Sequence, residues 1–256
     1  MTDYEYRGLM AVTWDLFRGD TSRWDDRFFY LEAIRRYGQP ALDVGCGTGR
    51  LLLDYLQQSI DIDGVDTSPE MLALCRQKAQ APGLAPTLYE QPMEALALPR
   101  TYRTILVPSS SFQLLTDRAQ AREAMHRLHS HVVPGGVLVM PFMIEWQAGT
   151  PLELDWRVRE QVRPEDGALM RRRSRVRYDP VEQLEHTEDI YEVVRDGTVV
   201  ASEHHRRSPA VRWYTQTQAS TLYREAGFVD VALYREFAFE PAGPDDAVFT
   251  IIGRRP

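Results

Sequence analysis

Apolar residues recur at helical spacing through residues 4–37, with a break near Gly19-Asp20-Thr21-Ser22. In the second of the helices this predicts, Trp24, Phe28 and Leu31 fall at i, i+4 and i+7 and are expected to form one apolar stripe. Gly38 is placed to stop that helix. Beyond it the pattern switches to short apolar runs alternating with helical stretches. Ala41-Leu42-Asp43-Val44 is expected as a buried strand, followed by a glycine turn and a helix from Leu51 to Gln57. Ile60 to Val65 makes a second strand that ends at Asp66, and Ser68-Pro69-Glu70 opens the next helix with a capping serine and a proline at the first helical position. Thr87 to Gln91 and Thr104 to Pro108 read as two further strands, Asp117 caps a helix, and Val137 to Met143 is a fifth, fully apolar strand. Strands and helices in this alternation build a parallel sheet covered on both faces.

From about residue 150 the pattern changes again. Segments near 153–163, 168–179, 182–195 and 198–212 alternate crudely between apolar and polar. Asp166-Gly167 and Asp196-Gly197 supply hairpin dipeptides, and Asp179-Pro180 opens a turn. This predicts a four-stranded antiparallel sheet inserted into the α/β unit. Thr215 with Gln218 then forms a capping box for a helix that ends at Gly227. Phe228 to Phe237 and Ala247 to Arg254 are two last strands, joined too briefly for a helical crossover and therefore antiparallel.

Composition narrows the function classes. A hydrophobic share of 43% and a charged share of 26% belong to an ordinary globular chain, and a net charge of −7 argues against a polyanion such as nucleic acid as main partner. Two cysteines are no disulfide framework, Met1 to Trp14 lacks the features of a secretion signal, and no stretch approaches a membrane span. A cytoplasmic location is the expectation.

The candidate chemistry sits in Asp43-x-Gly45-x-Gly47-x-Gly49, directly between a strand and a helix. Glycines at this spacing permit positive φ and a close ligand approach, and the following helix N-terminus offers oriented amides. A dinucleotide turn would need its third glycine at position 50, where Arg50 stands. The strand-end aspartate suits a cationic amino group better than a pyrophosphate. Asp66 ends the second strand, 19 residues after Gly47, where a carboxylate can accept hydrogen bonds from both hydroxyls of a ribose.

With these residues in place, the sequence resembles the class I S-adenosylmethionine (SAM)-dependent methyltransferases. Asp43 to Gly49 looks like the family's first motif and Gly64 to Leu72 like its second. Pro108 to Gln113 is similar to the segment after its fourth strand, and Val133 to Leu138 to the turn into its fifth. The likeness covers roughly residues 10–145 and 215–256. It implies a Rossmann-like seven-stranded sheet with an antiparallel last strand. SAM would be the cofactor and S-adenosylhomocysteine the product. Gly45 and Gly47 would face the methionine part, Asp66 the ribose and Met71 the adenine, with Asp43, Cys46, Thr67 and Ser109 also expected to bind the cofactor. Many relatives place an acid after the third strand for the adenine amine; here Pro92 stands at that position, leaving the Met93 backbone and Glu94 as candidates. Trp14-Asp15 lies where small-molecule relatives carry a flap over the cofactor, so residues 1–38 are expected as flap, with Trp14 either on SAM or in the core. The α/β domain would span 1–149 and 213–256, and the insert 150–212 would act as lid, substrate wall or dimer surface, which admits a homodimer.

His126, His129 and His131 do not share one helical face and are expected to be solvated or capping. No metal site is expected. His204 and His205 point to opposite faces of a strand, so one of them at most could serve as a base. The run Arg171 to Arg177 faces a strand carrying Glu182, Glu185, Glu188, Asp189 and Glu192, which predicts neutralisation across strands. An Asn/Asp-Pro-Pro-Tyr loop and a Pro-Cys nucleophile are both missing after the fourth strand. The expected activity is methyl transfer to N or O of a small molecule; an RNA or protein methyltransferase, or a SAM-binding protein without transferase activity, are the alternatives.

Overall fold

The computed structural model describes residues 6–256, so the first five residues of the expected flap lie outside the described residues. Three helices open the chain: α1 (Gly8–Val12), α2 (Trp14–Arg18) and α3 (Asp25–Tyr37). The seven-stranded sheet comprises β1 (Ala41–Val44), β2 (Ile62–Asp66), β3 (Leu88–Glu90), β4 (Tyr102–Leu106), β5 (Val132–Met143), β10 (Val229–Arg235) and β11 (Val248–Arg254). Its order is β10-β11-β5-β4-β1-β2-β3, with β11 antiparallel to both β5 and β10 and the other pairings parallel. The crossover helices are α4 (Leu52–Gln57), α5 (Pro69–Gln80) and α6 (Arg118–His131).

The caps expected from the sequence are formed. Ser68 accepts from the Met71 amide beside Pro69, Asp117 accepts from the amides of Ala119 and Gln120, and Thr215 with Gln218 closes the capping box of α7 (Gln216–Glu225). Alternation along β1 divides the interior. Leu42 and Val44 join the apolar layer under α6 and α7, while Ala41 joins the layer under α3, α4 and α5. Every residue of β1 is buried, so Asp43 is carried into the interior by its strand.

β6 (Glu153–Val162), β7 (Leu169–Asp179), β8 (Leu184–Arg195) and β9 (Thr198–Arg212) form a separate antiparallel sheet in simple meander order. Four arginines of the run Arg171 to Arg177 are neutralised across strands: Arg171 meets Glu160 at 2.6 Å, Arg172 meets Asp189 at 2.8 Å, Arg173 meets Glu192 at 3.0 Å, and Arg175 bonds Glu188. Arg177 forms no ion pair among the described residues. Glu182 falls in the turn before β8 and takes no part in this pairing through its side chain. The N-terminal helices bridge the two sheets. Met10 and Phe17 pack on Met170, Tyr191 and Val193 of the insert, and the Leu9 amide donates to Glu203 at 2.8 Å.

Two expectations are corrected. The Trp24–Phe28–Leu31 stripe does not form: Trp24 and Phe28 are exposed, and α3 instead buries Phe29, Tyr30, Ala33 and Ile34 along with Leu31. His131 is neither solvated nor capping. It is buried, its Nε2 accepting from the Leu98 amide at 2.9 Å and its Nδ1 meeting the Arg127 carbonyl at 2.7 Å.

The junction between sheet and insert hangs on Gln113, a fully buried side chain. Its amide nitrogen donates to the carbonyls of Met143 (2.9 Å) and Arg212 (3.2 Å), and its oxygen accepts from the Met143 amide (2.8 Å). Alanine there would leave three backbone groups without this partner, the Arg212 carbonyl buried and the two of Met143 partly buried. Gln113→Ala is expected to cost about 3 kcal/mol, read as a drop of roughly 10 °C in Tm. An unchanged Tm in a thermal melt would show that the junction is held by other contacts.

Candidate active site

The site forms at the C-terminal ends of β1, β2 and β4, where the chain leaves the sheet. After Val44 the turn takes Gly45, Gly47 and Gly49 into positive φ, at 75°, 54° and 85°. The amides of Gly45 and Cys46 both donate to the Val65 carbonyl, which locks the turn to β2. A Cβ on Gly45 would come within 2.7 Å of Ser111 Oγ, so a side chain there would collide with the loop after β4. Gly49 has a different reason: its Cβ would strike Cys75 of α5 at 2.6 Å, so this glycine permits helix packing. At Gly47 there is room, and the amide points to Asp66, whose Oδ2 accepts from it at 2.8 Å.

These elements enclose a cavity of about 330 Å³. Asp43, Gly45, Cys46, Gly47, Asp66, Thr67, Met71, Met93, Glu94, Ser109 and Trp14 all line it, so the candidate residues converge on one space. Asp43 is 2% exposed, and its Oδ1 has no hydrogen-bond partner among the described residues. Burial pushes this carboxyl up to about 7, Arg50 pulls it down, and Asp66 adds to the rise. A buried acceptor left unmatched is costly unless a ligand completes it. Asp66 is raised by burial and lowered by the amides of Ser68, Gly47 and Thr67. Pro92 also lines the cavity, and the neighbouring Gln91 side chain is engaged with the Ala97 backbone.

Several lining residues escaped the sequence reading. Arg18 stacks over Trp14 with its guanidinium carbon 4.3 Å from the ring centroid, and reaches Ser109 Oγ at 3.5 Å. Burial and the nearby Arg50 hold its pKa below the usual guanidinium value. Its separation from Trp14, four residues on one helix, was the available signal. Arg50 is held by Asp26 at 3.0 and 2.5 Å. Thr48 donates to Asp15 at 2.7 Å, and Asp15 also pairs with Lys78, so the residue after Trp14 ties α2 to the glycine turn. Trp14 itself is part of the lining and meets Tyr6 edge-on at 4.8 Å.

The histidines lie elsewhere. His204 is exposed and meets Glu188 at 2.8 Å, whereas His205 packs on the Tyr191 ring and meets Glu203 at 3.1 Å. Neither lines the cavity. His186 meets Ser208 Oγ at 2.7 Å on the inserted sheet. Among the described residues no group of three or more His, Cys, Asp or Glu could hold a metal ion, and no helix is long and apolar enough to cross a membrane.

Comparison with known proteins agrees with this geometry. Residues 41–136 match the family model described as a methyltransferase domain. The chain is 29% identical to a dTDP-3-amino-3,6-dideoxy-alpha-D-glucopyranose N,N-dimethyltransferase of Streptomyces fradiae, over 53% of this chain and 54% of that protein. It spans about half the length of the curated relatives it matches. In fold it is similar to a SAM-dependent methyltransferase from Clostridium acetobutylicum (TM-score 0.74, 17% identity, covering 95% of this chain and 96% of that one). It is also similar to a sugar N-methyltransferase from a Streptoalloteichus species (TM-score 0.72, 21% identity, covering 100% and 97%). By its match over residues 41–136 the chain carries a segment similar to a methyltransferase domain, and its glycine turn and sheet order give it the fold of SAM-dependent methyltransferases of known structure.

Proposed function

We propose that the protein transfers a methyl group from SAM to a nitrogen of a small-molecule amine. The observation that carries this reading is Asp43, a buried carboxylate with one oxygen unpartnered in a cavity built by the glycine turn. Asp43 would hold the amino group of the methionine part and Arg18 its carboxylate. Asp66 would take the ribose hydroxyls, and Met71 and Met93 would lie against the base. When bound, SAM supplies an electrophilic methyl group on a sulfonium.

The chain's own task is then to bind, orient and exclude water, which is where much of the rate of such a displacement arises. Among the described residues the cavity lining holds no histidine, which favours an amine nitrogen over an alcohol oxygen. An unprotonated amine attacks without a base, whereas an alcohol needs its proton removed. The amino-sugar N,N-dimethyltransferase among the relatives supports the same choice. The flap would form part of the acceptor wall, with Trp14 closing over the donor.

The test is SAM titration by calorimetry, followed by a screen of amines and matched alcohols reading S-adenosylhomocysteine. The expected result is saturable SAM binding and product from amines. SAM binding without product from any amine would overturn the transferase reading, and no SAM binding would overturn the whole assignment.

A further inference from the structure

We propose that a second pocket, between α6, α7 and the end of β9, binds the phosphoryl group of an organic phosphate. This pocket of about 220 Å³ shares no lining residue with the glycine-turn cavity. Three arginines reach it: Arg118 and Arg122 from one face of α6, and Arg212 from the last residue of β9. Against them the lining holds a single carboxylate, Glu225.

Asp117 and Glu182 act on this cluster from outside the lining, but no carboxylate among the described residues forms an ion pair with it. In the inserted sheet Arg171, Arg172, Arg173 and Arg175 each meet a carboxylate. Arg118 and Arg122 make no ion pair or hydrogen bond with any described residue, although like charges at i and i+4 repel. Arg212 is buried and fixed in place, its Nε donating to the Thr116 carbonyl and its Nη1 to the Glu182 carbonyl, both at 2.7 Å. Those bonds leave Nη2 for a ligand.

Tyr214 supplies an independent pointer. It is 6% exposed, lines the pocket, and its buried hydroxyl has no hydrogen-bond partner. Arg212, Arg118 and Arg122 are the positive charges acting on this phenol, with Asp117 opposing them. A buried, unpartnered hydroxyl in a pocket lined by three guanidinium groups is matched by an anion that accepts from all of them. A carboxylate is planar and is satisfied by one guanidinium fork; a tetrahedral phosphoryl group presents oxygens in several directions and suits three. Gln183 and Gln218 hold each other at 3.0 and 2.8 Å and fix the rim, while the Trp213 ring offers an apolar wall for the organic part.

The experiment is calorimetric titration of the full chain with phenyl phosphate, using inorganic pyrophosphate as a second probe. Saturable binding that weakens as salt rises is expected. The exposed double substitution Arg118→Gln/Arg122→Gln should lose at least tenfold in affinity, and Tyr214→Phe several-fold, with Tm and SAM affinity unchanged. In the amine screen, phosphate esters outperforming their parent amines, with the advantage lost in the double variant, would place the phosphoryl group on the methyl acceptor. Binding without that advantage would make it a separate ligand of the same site. No saturable binding, or equal binding to the double variant, would overturn the proposal while leaving the SAM assignment untouched.

Discussion

Asp66→Ala is expected to weaken SAM binding by about 100-fold. The carboxylate is positioned by two backbone amides, with Gly47 donating to Oδ2 at 2.8 Å and Ser68 to Oδ1 at 2.9 Å. Its remaining lone pairs face the cavity, where two ribose hydroxyls would donate. Hydrogen bonds to a charged acceptor contribute about 1.5–3 kcal/mol each, so losing two removes about 3 kcal/mol, which corresponds to about 100-fold. Alanine also releases the Gly47 amide from its partner and loosens the turn that shapes the methionine end. Asp66→Asn keeps one oxygen acceptor and should fall between alanine and the parent. Burial raises the pKa of Asp66, so its ionised form is held against a desolvation cost. Removing that cost offsets part of the loss of two amide bonds, and the unliganded Tm should change little. Thermal shift gives a second readout. A ligand at 100 times its Kd stabilises by about 2.7 kcal/mol, a shift that nearly disappears when Kd rises 100-fold. If Asp66→Ala bound SAM like the parent, the ribose assignment would be wrong.

How far the sequence reaches is visible in particular residues. The parallel strands were legible because strands buried on both faces are continuous apolar runs, and β1 and β5 are nearly pure examples. The inserted sheet was legible from Asp166-Gly167 and Asp196-Gly197, where Gly167, Asp196 and Gly197 take the positive φ that hairpins require. The α3 stripe was misread because Phe28, Phe29, Tyr30 and Leu31 are consecutive and apolar. Periodicity cannot choose between two adjacent faces there, and contact of Phe29 with Phe237 and Phe239 decides it. His131 was misread because its hydrogen-bond partner, the Leu98 amide, is 33 residues distant. At the site, the glycines and Asp66 carry local spacing signals, whereas the Thr48–Asp15 bond and the place of Arg18 over the cavity exist only once flap and turn meet. Asp43 was read from its position at a strand end. That its Oδ1 would be buried without a partner is a property of the assembled fold.

That property leads to a pH dependence with a definite sign. SAM affinity is expected to rise about tenfold per pH unit up to pH about 7, and then to level off. Asp43 in the folded protein titrates at about 7, against 3.8 as its ordinary value. In the unfolded chain it ionises near that ordinary value. Stability of the unliganded protein is therefore greatest, as far as Asp43 contributes, below about pH 4. It falls as pH rises towards 7, and the loss is complete above 7. An ammonium group reverses this by selecting the ionised carboxylate. Below pH 7 binding must first expel a proton from Asp43, and each unit costs about 1.4 kcal/mol, or tenfold in Kd. Calorimetry in buffers of different ionisation enthalpy should register that released proton at pH about 6 and almost none at pH about 8. Asp43→Asn should flatten the profile and weaken binding at pH about 8, where the parent carries its full charge. The same variant should be more stable than the parent above pH 7, because it no longer buries an ionised group. A Kd independent of pH would contradict the role of Asp43. A slope persisting in Asp43→Asn would transfer the titration to Asp66, the other carboxylate in the cavity whose pKa burial raises.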